Sequence, residues 1–241
     1  MLTLPFPERR EEVQHFVKRH HYSRRCPGVW SVAYAHVNRR GQIQAVLVYG
    51  PPPYPSVTRA FCRVQEHSRR VAWQARMIGA GISATELDAL LAYANADLLL
   101  RGYWWVYTLT EPQAWVVDGA LVRLLCPAFT GAAYHRNGWL YLGATKPSSK
   151  ELFVIDGKPV HIRQNDHTLT AGNVHRYYPD AREIRPVMSR AKDRWAKVLT
   201  TSEAERAERV LLMKFHPLPW TPAIQPRLLY GPQPAPSPLP V

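Results

Sequence analysis

The sequence predicts an α/β fold: a mixed, mostly antiparallel sheet flanked by helices, with a proline-rich C-terminal extension. An amphipathic helix pattern is followed by two strand patterns, and a strongly capped helix pattern lies between two apolar strand patterns. The 241 residues are enough for one substantial core. We therefore expect one domain over residues 1–213, with its core at about 8–165, and an extended tail over 214–241.

The first half of the chain favours one helix followed by four strands. Residues 8–21 are an amphipathic helix pattern with acidic residues in its first turn, which suits the helix dipole. Residues 29–37 and 43–49 are rich in β-branched and aromatic residues and are separated by a turn sequence, so they predict a β-hairpin. Two further strands are expected near 57–64 and over 71–77.

The best-marked boundary in the chain is the start of a helix over 83–100. Ser83 is followed three residues later by Glu86, which is the pattern of a capping box. The apolar run at 103–110 predicts a strand buried on both faces. The remaining expectations are a helix over 113–126, short strands over 139–143, 152–155 and 160–162, and a late helix over 200–213.

The segment from Pro217 to Val241 contains nine prolines and almost no charge. Proline cannot donate to a ladder or continue a helix, so this segment is expected to be extended. The pattern leaves open whether it packs on the surface of the domain or stays apart from it.

The chain is strongly basic, with a formal net charge of +13 and a pI of about 10.0. Polyanions are the expected partners of such a chain, although a solvated basic surface is the open alternative. The predominance of arginine favours a partner, because its planar fork matches phosphate groups.

The three cysteines form no C-x-x-C pair, which argues against a disulfide framework and fits a reducing compartment. No apolar run approaches the roughly 20 residues that span a bilayer, and the N-terminus lacks a signal-peptide pattern. We expect a protein that is not exported and has no membrane partner.

The segment Arg76-Met77-Ile78-Gly79-Ala80-Gly81 joins a strand pattern to the capped helix. Backbone amides that converge at a helix N-terminus bind anions, and glycine lets a phosphate approach closely. The segment is not a P-loop, because no G-K-[ST] follows, and Ala84 replaces the third glycine of a dinucleotide fingerprint. An ordinary strand-to-helix turn is the alternative interpretation.

This segment resembles the pyrophosphate loop of the GNAT acyltransferases, [Q/R]-x-x-G-x-[G/A], and the order of the predicted elements also resembles that fold. Further matching residues are His21, Tyr22, Ser23, Gly131, Tyr134, Trp139, Tyr141 and Gly143. With them, residues 10–165 resemble the Mom DNA-modification proteins of Mu-like bacteriophages.

The resemblance implies a transferase of the GNAT superfamily that converts adenine in double-stranded phage DNA to N6-carbamoylmethyladenine. The modification would protect the DNA from host restriction endonucleases, and the protein would act in the cytoplasm of the infected host cell. The resemblance also implies iron, but the ten histidines show no H-x-x-x-H or H-E-x-x-H spacing, so the metal site is unknown. A homodimer is left open.

The donor is also left open by the sequence. Acetyl transfer would leave an amide on adenine, whereas the implied product carries a carbon bonded to N6 and a terminal carboxamide. Glycyl transfer to N6, followed by attack of the new amine on C6 through a five-membered ring, would give that product. The candidate donors at the Gly79–Gly81 loop are therefore glycyl-tRNA and a CoA-type thioester.

The expected catalytic residues are His21, Tyr22, Ser23, Glu111 and Tyr134. Imidazole and phenol groups serve as acids and bases near neutral pH, and a carboxylate at a strand end faces the usual ligand position of α/β sheets. The alternatives are a histidine placed by a helix C-terminus, a solvated glutamate and a core tyrosine.

The donor is expected to contact Arg76, Gly79, Ala80, Gly81 and Ile82, while Ser83 is expected to be a structural cap. DNA contacts are expected from Arg24, Arg25, Arg69, Arg70 and Trp139, with solvent exposure as the alternative for the arginines and core packing for the tryptophan.

Two other functions remain open. A CoA-dependent N-acetyltransferase acting on a protein or small amine would use the same loop. A non-catalytic phage DNA-binding protein would explain the charge, but the sequence shows no convincing helix-turn-helix.

Overall fold

The structure is a computed structural model. It describes residues 1–5, 8–21, 26–52, 61–110, 114–117, 120–124, 131–145, 148–162, 167–189 and 192–220.

The helices are α1 (Arg10–His20), α2 (Ala84–Leu100), α3 (Ala132–Arg136), α4 (Val174–Tyr177) and α5 (Glu203–Leu211). A 3₁₀ helix spans Gln65–Arg70. The strands are β1 (Leu2–Pro5), β2 (Val32–Val37), β3 (Ile43–Gly50), β4 (Val71–Gly79), β5 (Trp105–Thr110), β6 (Ala114–Val117), β7 (Ala120–Leu124), β8 (Leu140–Ala144), β9 (Ser148–Ile155), β10 (Lys158–His161), β11 (Ile184–Ser189) and β12 (Asp193–Val198).

The central sheet has seven strands in the order β1-β2-β3-β4-β5-β12-β8. Every neighbouring pair is antiparallel except β4 and β5, which are parallel because α2 connects them. The expected mixed, mostly antiparallel sheet flanked by helices is therefore confirmed. Two small sheets, β10-β9-β11 and β6-β7, accompany it.

Helices α1 and α2 cover opposite faces of the sheet. Along β3, Leu47 and Tyr49 pack with the buried leucines of α2, whereas Val46 and Val48 pack with Phe16 and its neighbours on α1. Alternate residues of a strand point to opposite faces, so these two clusters lie on the two sides of one sheet. We call these sides the α1 face and the α2 face.

The helix expected over 113–126 is wrong. Its described residues form β6 and β7, which pair antiparallel. The sequence carries a competing signal that explains the error: Asp118-Gly119 is a hairpin turn pair, and β-branched residues flank it. The strand expected near 57–64 has only residues 61–64 described, and there Cys62 makes an isolated bridge to Met213.

Strand β12 was not expected from the sequence, although it joins β5 to β8 within the central sheet. Its residues alternate between the two faces. Trp195 lies in the core of the α2 face, whereas Ala196 and Val198 lie in a third core cluster. In the sequence DRWAKV, three of the six residues are charged, so the alternation of buried and exposed residues is not visible as an apolar pattern.

The start of the C-terminal extension lies against the domain. The Leu218 amide donates to the Tyr141 carbonyl at 2.8 Å, which continues the sheet beyond its edge strand β8. The Trp220 ring lies 5.6 Å from the Trp195 ring. Residues 221–241 lie outside the described part. Among the described helices, none combines the length and hydropathy that crossing a membrane requires.

Glycine at position 131 is predicted to be essential to the packing around Trp195. Gly131 has a φ of 77°, and an added Cβ would lie 2.6 Å from Trp195 Cζ2. Gly131→Ala should therefore lower the free energy of unfolding by the strain of a left-handed residue, about 1–2 kcal/mol, plus about 1–3 kcal/mol for overpacking.

Urea unfolding of Gly157→Ala is the matched control, because Gly157 has a φ of 75° with no atom near an added Cβ. Equal losses in the two variants would contradict the packing role of Gly131.

Candidate functional site

Strands β4 and β5 pair only at their first residues. Val71–Trp73 pairs with Trp105–Tyr107, and no further pairing follows along the described lengths of the two strands. The register between β3 and β4 shifts so that Ala75 is an extra residue in β4. A bulge of this kind bends a strand. β4 consequently stays with β3 while β5 diverges, which opens a gap in the sheet.

Gln74 lies where the two strands part and is 1% exposed. The Thr108 hydroxyl donates to the Gln74 carbonyl at 2.8 Å, in place of a backbone donor from β5. The Gln74 side-chain amide donates to the Tyr49 hydroxyl at 2.7 Å, and its Oε1 accepts from the Tyr134 hydroxyl at 2.5 Å. This network satisfies the polar groups that the gap would otherwise leave unpaired.

Tyr134 belongs to α3 and is 2% exposed. Its ring lies 4.6 Å from the Trp139 ring and stacks at 5.6 Å on Trp195. The aromatic neighbours fix the ring, and Gln74 fixes the hydroxyl. The structure therefore holds a phenol at the gap, on the α2 face, in a fixed orientation. To donate a proton to a ligand, the hydroxyl must exchange its bond to Gln74 for one to that ligand.

Backbone groups of β4 also face the gap. The Ala80 amide donates to the Gln44 carbonyl of the β3 side. Successive residues of an antiparallel strand direct their amides to opposite sides. The amides of Gly79 and Met77 therefore point away from β3, towards the space that β5 has left.

The loop after β4 ends at the capped helix, as expected. Ser83 Oγ accepts from the Glu86 amide, and the Ser83 amide donates to Glu86 Oε2 at 2.7 Å. Gly81 has a φ of 77° and open space around an added Cβ. None of the hydrogen bonds in the described part of the chain uses the amides of Gly81, Ile82, Ala84 and Thr85. Four donors thus remain at the positive end of a 17-residue helix.

The capping carboxylate shares this helix end. Hydrogen bonds from the backbone and hydroxyl of Ser83 lower the pKa of Glu86, so the group is ionised at neutral pH. Its Oε1 also lies 3.6 Å from His36 Nε2. A ligand anion at the loop therefore meets four amide donors and one neighbouring negative charge.

His21 and Arg76 lie together on the other side of the sheet, the α1 face. Burial, and secondly the positive charge of Arg76, lower the pKa of His21 to about 3. The imidazole is therefore neutral at pH 7, and its protonated form is disfavoured. A general base works best with a pKa near the working pH, and the buried setting moves the pKa of His21 away from that range. Half-buried Cys26 lies in the same cluster, and burial raises the pKa of its thiol.

The other predicted residues are distributed as follows. Ile82 packs in the α2-face core and Ala80 in the α1-face core. Arg69 is exposed and Arg70 is half-buried, both just before the start of β4. Trp139 lies in the core and is only 3% exposed, and its ring packs against the ring of Tyr134. Tyr22, Ser23, Arg24, Arg25 and Glu111 lie outside the described residues.

Three residues of the site were not predicted from the sequence: Gln74, Thr108 and Tyr49. A signal for two of them is present in the sequence. Gln74 interrupts the apolar pattern VAWQARM, and Thr108 lies within the apolar run YWWVYTLT. A polar side chain in a buried strand requires a partner, so such residues are candidates for a network or a site. Within the described residues, no group of three or more His, Cys, Asp or Glu could hold a metal ion.

No protein-family model matches the chain. No curated protein matches it either.

Solved structures of N-acetyltransferases are similar to it. An aminoglycoside 6'-N-acetyltransferase complexed with coenzyme A has 9% identity, covers 84% of this chain and 99% of its own, and gives a TM-score of 0.46. The aminoglycoside 6'-N-acetyltransferase from Enterococcus faecium has 9% identity, the same two coverages and a TM-score of 0.42. A GNAT family N-acetyltransferase from Escherichia coli in complex with CoA has 15% identity, covers 57% of this chain and 67% of its own, and gives a TM-score of 0.38.

The hydrogen bond between Tyr134 and Gln74 is predicted to couple the two residues energetically. Tyr134→Phe leaves Gln74 Oε1 short of a buried donor and should lower the free energy of unfolding by about 1–3 kcal/mol. Gln74→Leu should cost a similar amount, since the hydroxyls of Tyr49 and Tyr134 lose their hydrogen bonds to Gln74. A double-mutant cycle by urea unfolding should show the double variant losing clearly less than the sum of the two. Strict additivity would contradict the network.

The depressed pKa of His21 predicts a pH-dependent stability. Between pH 6.5 and about 3 the unfolded chain binds more protons at this residue than the folded chain. The free energy of unfolding therefore falls as the pH drops through this window, with a contribution of at most about 1.4 kcal/mol per pH unit. Urea unfolding from pH 7 to pH 4 should show a shallower fall for His21→Gln than for the wild type.

His175→Gln, which removes an exposed imidazole on α4, is the control for the loss of any histidine. If both variants follow the wild-type pH profile, the buried setting of His21 is contradicted.

Proposed function

We propose that the chain is an acyltransferase whose donor is a phosphate-bearing thioester of the coenzyme A type. The observation that carries this proposal is the combination of the gap between β4 and β5 with the four unused amides at the start of α2. Amides at a helix N-terminus favour phosphate, and the open glycine loop admits it. The resemblance of this loop to the GNAT pyrophosphate loop supports the same assignment.

The donor would lie along β4. Its phosphates would meet the amides between Gly81 and Thr85, and its extended arm would hydrogen-bond to the backbone groups of Met77 and Gly79, as an added strand does. From Gly79 to Gln74 the strand advances about 16 Å, at about 3.3 Å per residue. This path brings the thioester to the point where β5 diverges. Arg76 faces His21 on the α1 face, so we assign the phosphates to the amides instead.

The chemistry would take place beside Gln74. The acceptor nitrogen attacks the thioester carbonyl carbon, the carbon–sulfur bond breaks, and the nitrogen loses a proton to solvent. The departing thiolate accepts a proton, which we assign Tyr134 to donate, and the tyrosinate then regains a proton from solvent. Gln74 holds the Tyr134 hydroxyl until the sulfur replaces it as hydrogen-bond acceptor. Positioning of this kind accounts for much of the rate in acyl transfer to a weak nucleophile.

For the acceptor we propose adenine in double-stranded DNA. The net charge of +13 and the arginine-rich composition favour a polyanionic substrate, and the resemblance to the Mom proteins points to adenine. The base would have to leave the helix stack, which costs about a few kcal/mol.

The modified DNA would then resist host restriction endonucleases. If the transferred group is glycyl, closure and reopening of the five-membered ring would convert the first product into its carbamoylmethyl isomer without any further reactant. His21, Tyr22, Ser23 and Glu111 remain predicted catalytic residues.

The loop assignment predicts how charge at position 81 affects donor binding. Gly81→Asp should weaken coenzyme A binding at least about tenfold, because its carboxylate would occupy the anion site. Gly81→Asn has nearly the same shape and also tolerates a positive φ, so it should bind within about threefold of the wild type. Isothermal titration calorimetry measures both. Equal weakening by Asp and Asn would contradict anion binding at the loop.

The acceptor is tested by mass spectrometry of nucleosides from the DNA of cells that express the wild-type chain or Tyr134→Phe, grown with isotope-labelled glycine. Deoxyadenosine that carries a labelled glycyl-derived group supports glycyl transfer to DNA. An acetyl group on deoxyadenosine supports the simpler thioester reaction. Unmodified adenine together with measurable coenzyme A binding would overturn DNA as the acceptor and leave another amine as substrate.

A further inference from the structure

A cleft lies at the opposite end of β4 from the glycine loop. Its volume is about 270 Å³, and Arg69, Arg70, Arg101, Gly102 and Tyr103 line it. These residues come from the end of the 3₁₀ helix and from the turn that connects α2 to β5. The length of β4 separates the cleft from the loop, about 26 Å at about 3.3 Å per residue. The donor path proposed above ends at Gln74, so about 10 Å of β4, at about 3.3 Å per residue, still lies between it and the cleft.

Arg70 is held in place by its surroundings. Its Nη1 donates to the Gly102 carbonyl at 3.0 Å, and its guanidinium lies 5.5 Å from the centroid of the Trp104 ring. Gly102 has a φ of 83°, and an added Cβ would lie 2.8 Å from Arg70 Nη1. Because Gly102 has no side chain, there is room for the Arg70 guanidinium at this position. A pre-positioned arginine loses less conformational entropy when it binds an anion.

The cleft carries an excess of positive charge. Arg101 is paired with Asp97, with a distance of 2.6 Å between Nε and Oδ2. Within the described residues, neither Arg69 nor Arg70 has a carboxylate oxygen within 4.0 Å of its guanidinium. Among the described residues, these two neighbouring cations therefore have no carboxylate partner, and an anion between them would offset their repulsion.

We infer that this cleft is a second anion site, which binds the phosphodiester backbone of a nucleic acid. Arginine forks and a tyrosine hydroxyl are the groups that hold phosphate oxygens in protein–nucleic acid complexes. A chain-like anion also fits the overall charge of +13 better than an isolated phosphate does. The inference does not rest on acyl transfer, because the cleft shares no residue with the donor site. Substrate DNA or an RNA-borne donor would present the same backbone.

The salt dependence of binding tests this site. The probes are a 24-base-pair duplex DNA and a 24-nucleotide single-stranded RNA, each labelled with fluorescein and titrated with the full chain between 50 and 200 mM KCl. The double variant Arg69→Gln/Arg70→Gln should reduce the slope of log K against log salt by about 0.9 per lost phosphate contact on the duplex and about 0.7 on the single strand. Arg176→Gln/Arg182→Gln removes the same charge from two exposed residues elsewhere and should keep the wild-type slope.

Arg69→Gln alone is included because Arg69 is exposed, so its substitution should not disturb the fold. Thermal melts check all variants. If Arg69→Gln/Arg70→Gln reduces the salt slope on the duplex, the cleft binds DNA. If it reduces the slope only on the single strand, the cleft binds RNA. Both results support the site. If both double variants change the slope equally, or neither changes it, the cleft is not a phosphate site. If the arginine variants reduce the salt slope but the chain does not bind coenzyme A, the donor assignment alone is overturned. If the chain binds coenzyme A but the arginine variants leave the salt slope unchanged, this inference alone is overturned.

Discussion

The parting of β4 from β5 is the constraint on which the rest of the structure depends. Two parallel strands that separate leave backbone donors and acceptors without partners, and buried groups of this kind are costly. The chain meets this cost in two ways. The bulge at Ala75 turns β4 away, and Thr108 supplies a side-chain donor to the carbonyl of Gln74. The groups further along β4 remain available to a ligand.

The two faces of the sheet carry different chemistry. The α2 face presents Tyr134 within a fully hydrogen-bonded and aromatic setting. The α1 face presents a neutral His21 beside the charged Arg76. In the proposed reaction, a donor that enters along β4 from the glycine loop reaches the Tyr134 phenol. Strand β4 also connects the loop at its C-terminal end to the arginine-lined cleft at its N-terminal end.

Much of the fold could be predicted because local signals agree with the tertiary structure. The first hairpin, the helix capped by Ser83 and the strand at 105–110 all combine a clear period with clear boundary residues. Where two signals compete, prediction failed. In 113–126 the helical spacing of apolar residues concealed a hairpin turn pair, and in β12 the charged residues concealed an alternating core strand.

The site could be predicted only in part, for physical reasons. The loop is contiguous in sequence, so its glycines and its cap are visible there. Gln74, Thr108, Tyr49 and Tyr134 come from four separate segments, and only the fold brings them together. Likewise, His21 and Arg76 are far apart in the chain, and burial determines the protonation of the histidine. Sequence spacing carries none of this information.

The most direct test of the central claim is nuclear magnetic resonance of the chain labelled with ¹⁵N-glycine, titrated with acetyl-coenzyme A. The 13 glycines report on separate places in the fold. If the donor binds between the loop and Gln74, the Gly79 and Gly81 amides shift saturably, and those of Gly28 and Gly157 stay unchanged. Shifts confined to Gly102, or no saturable shift at Gly81, would contradict a donor site at the parting of β4 and β5.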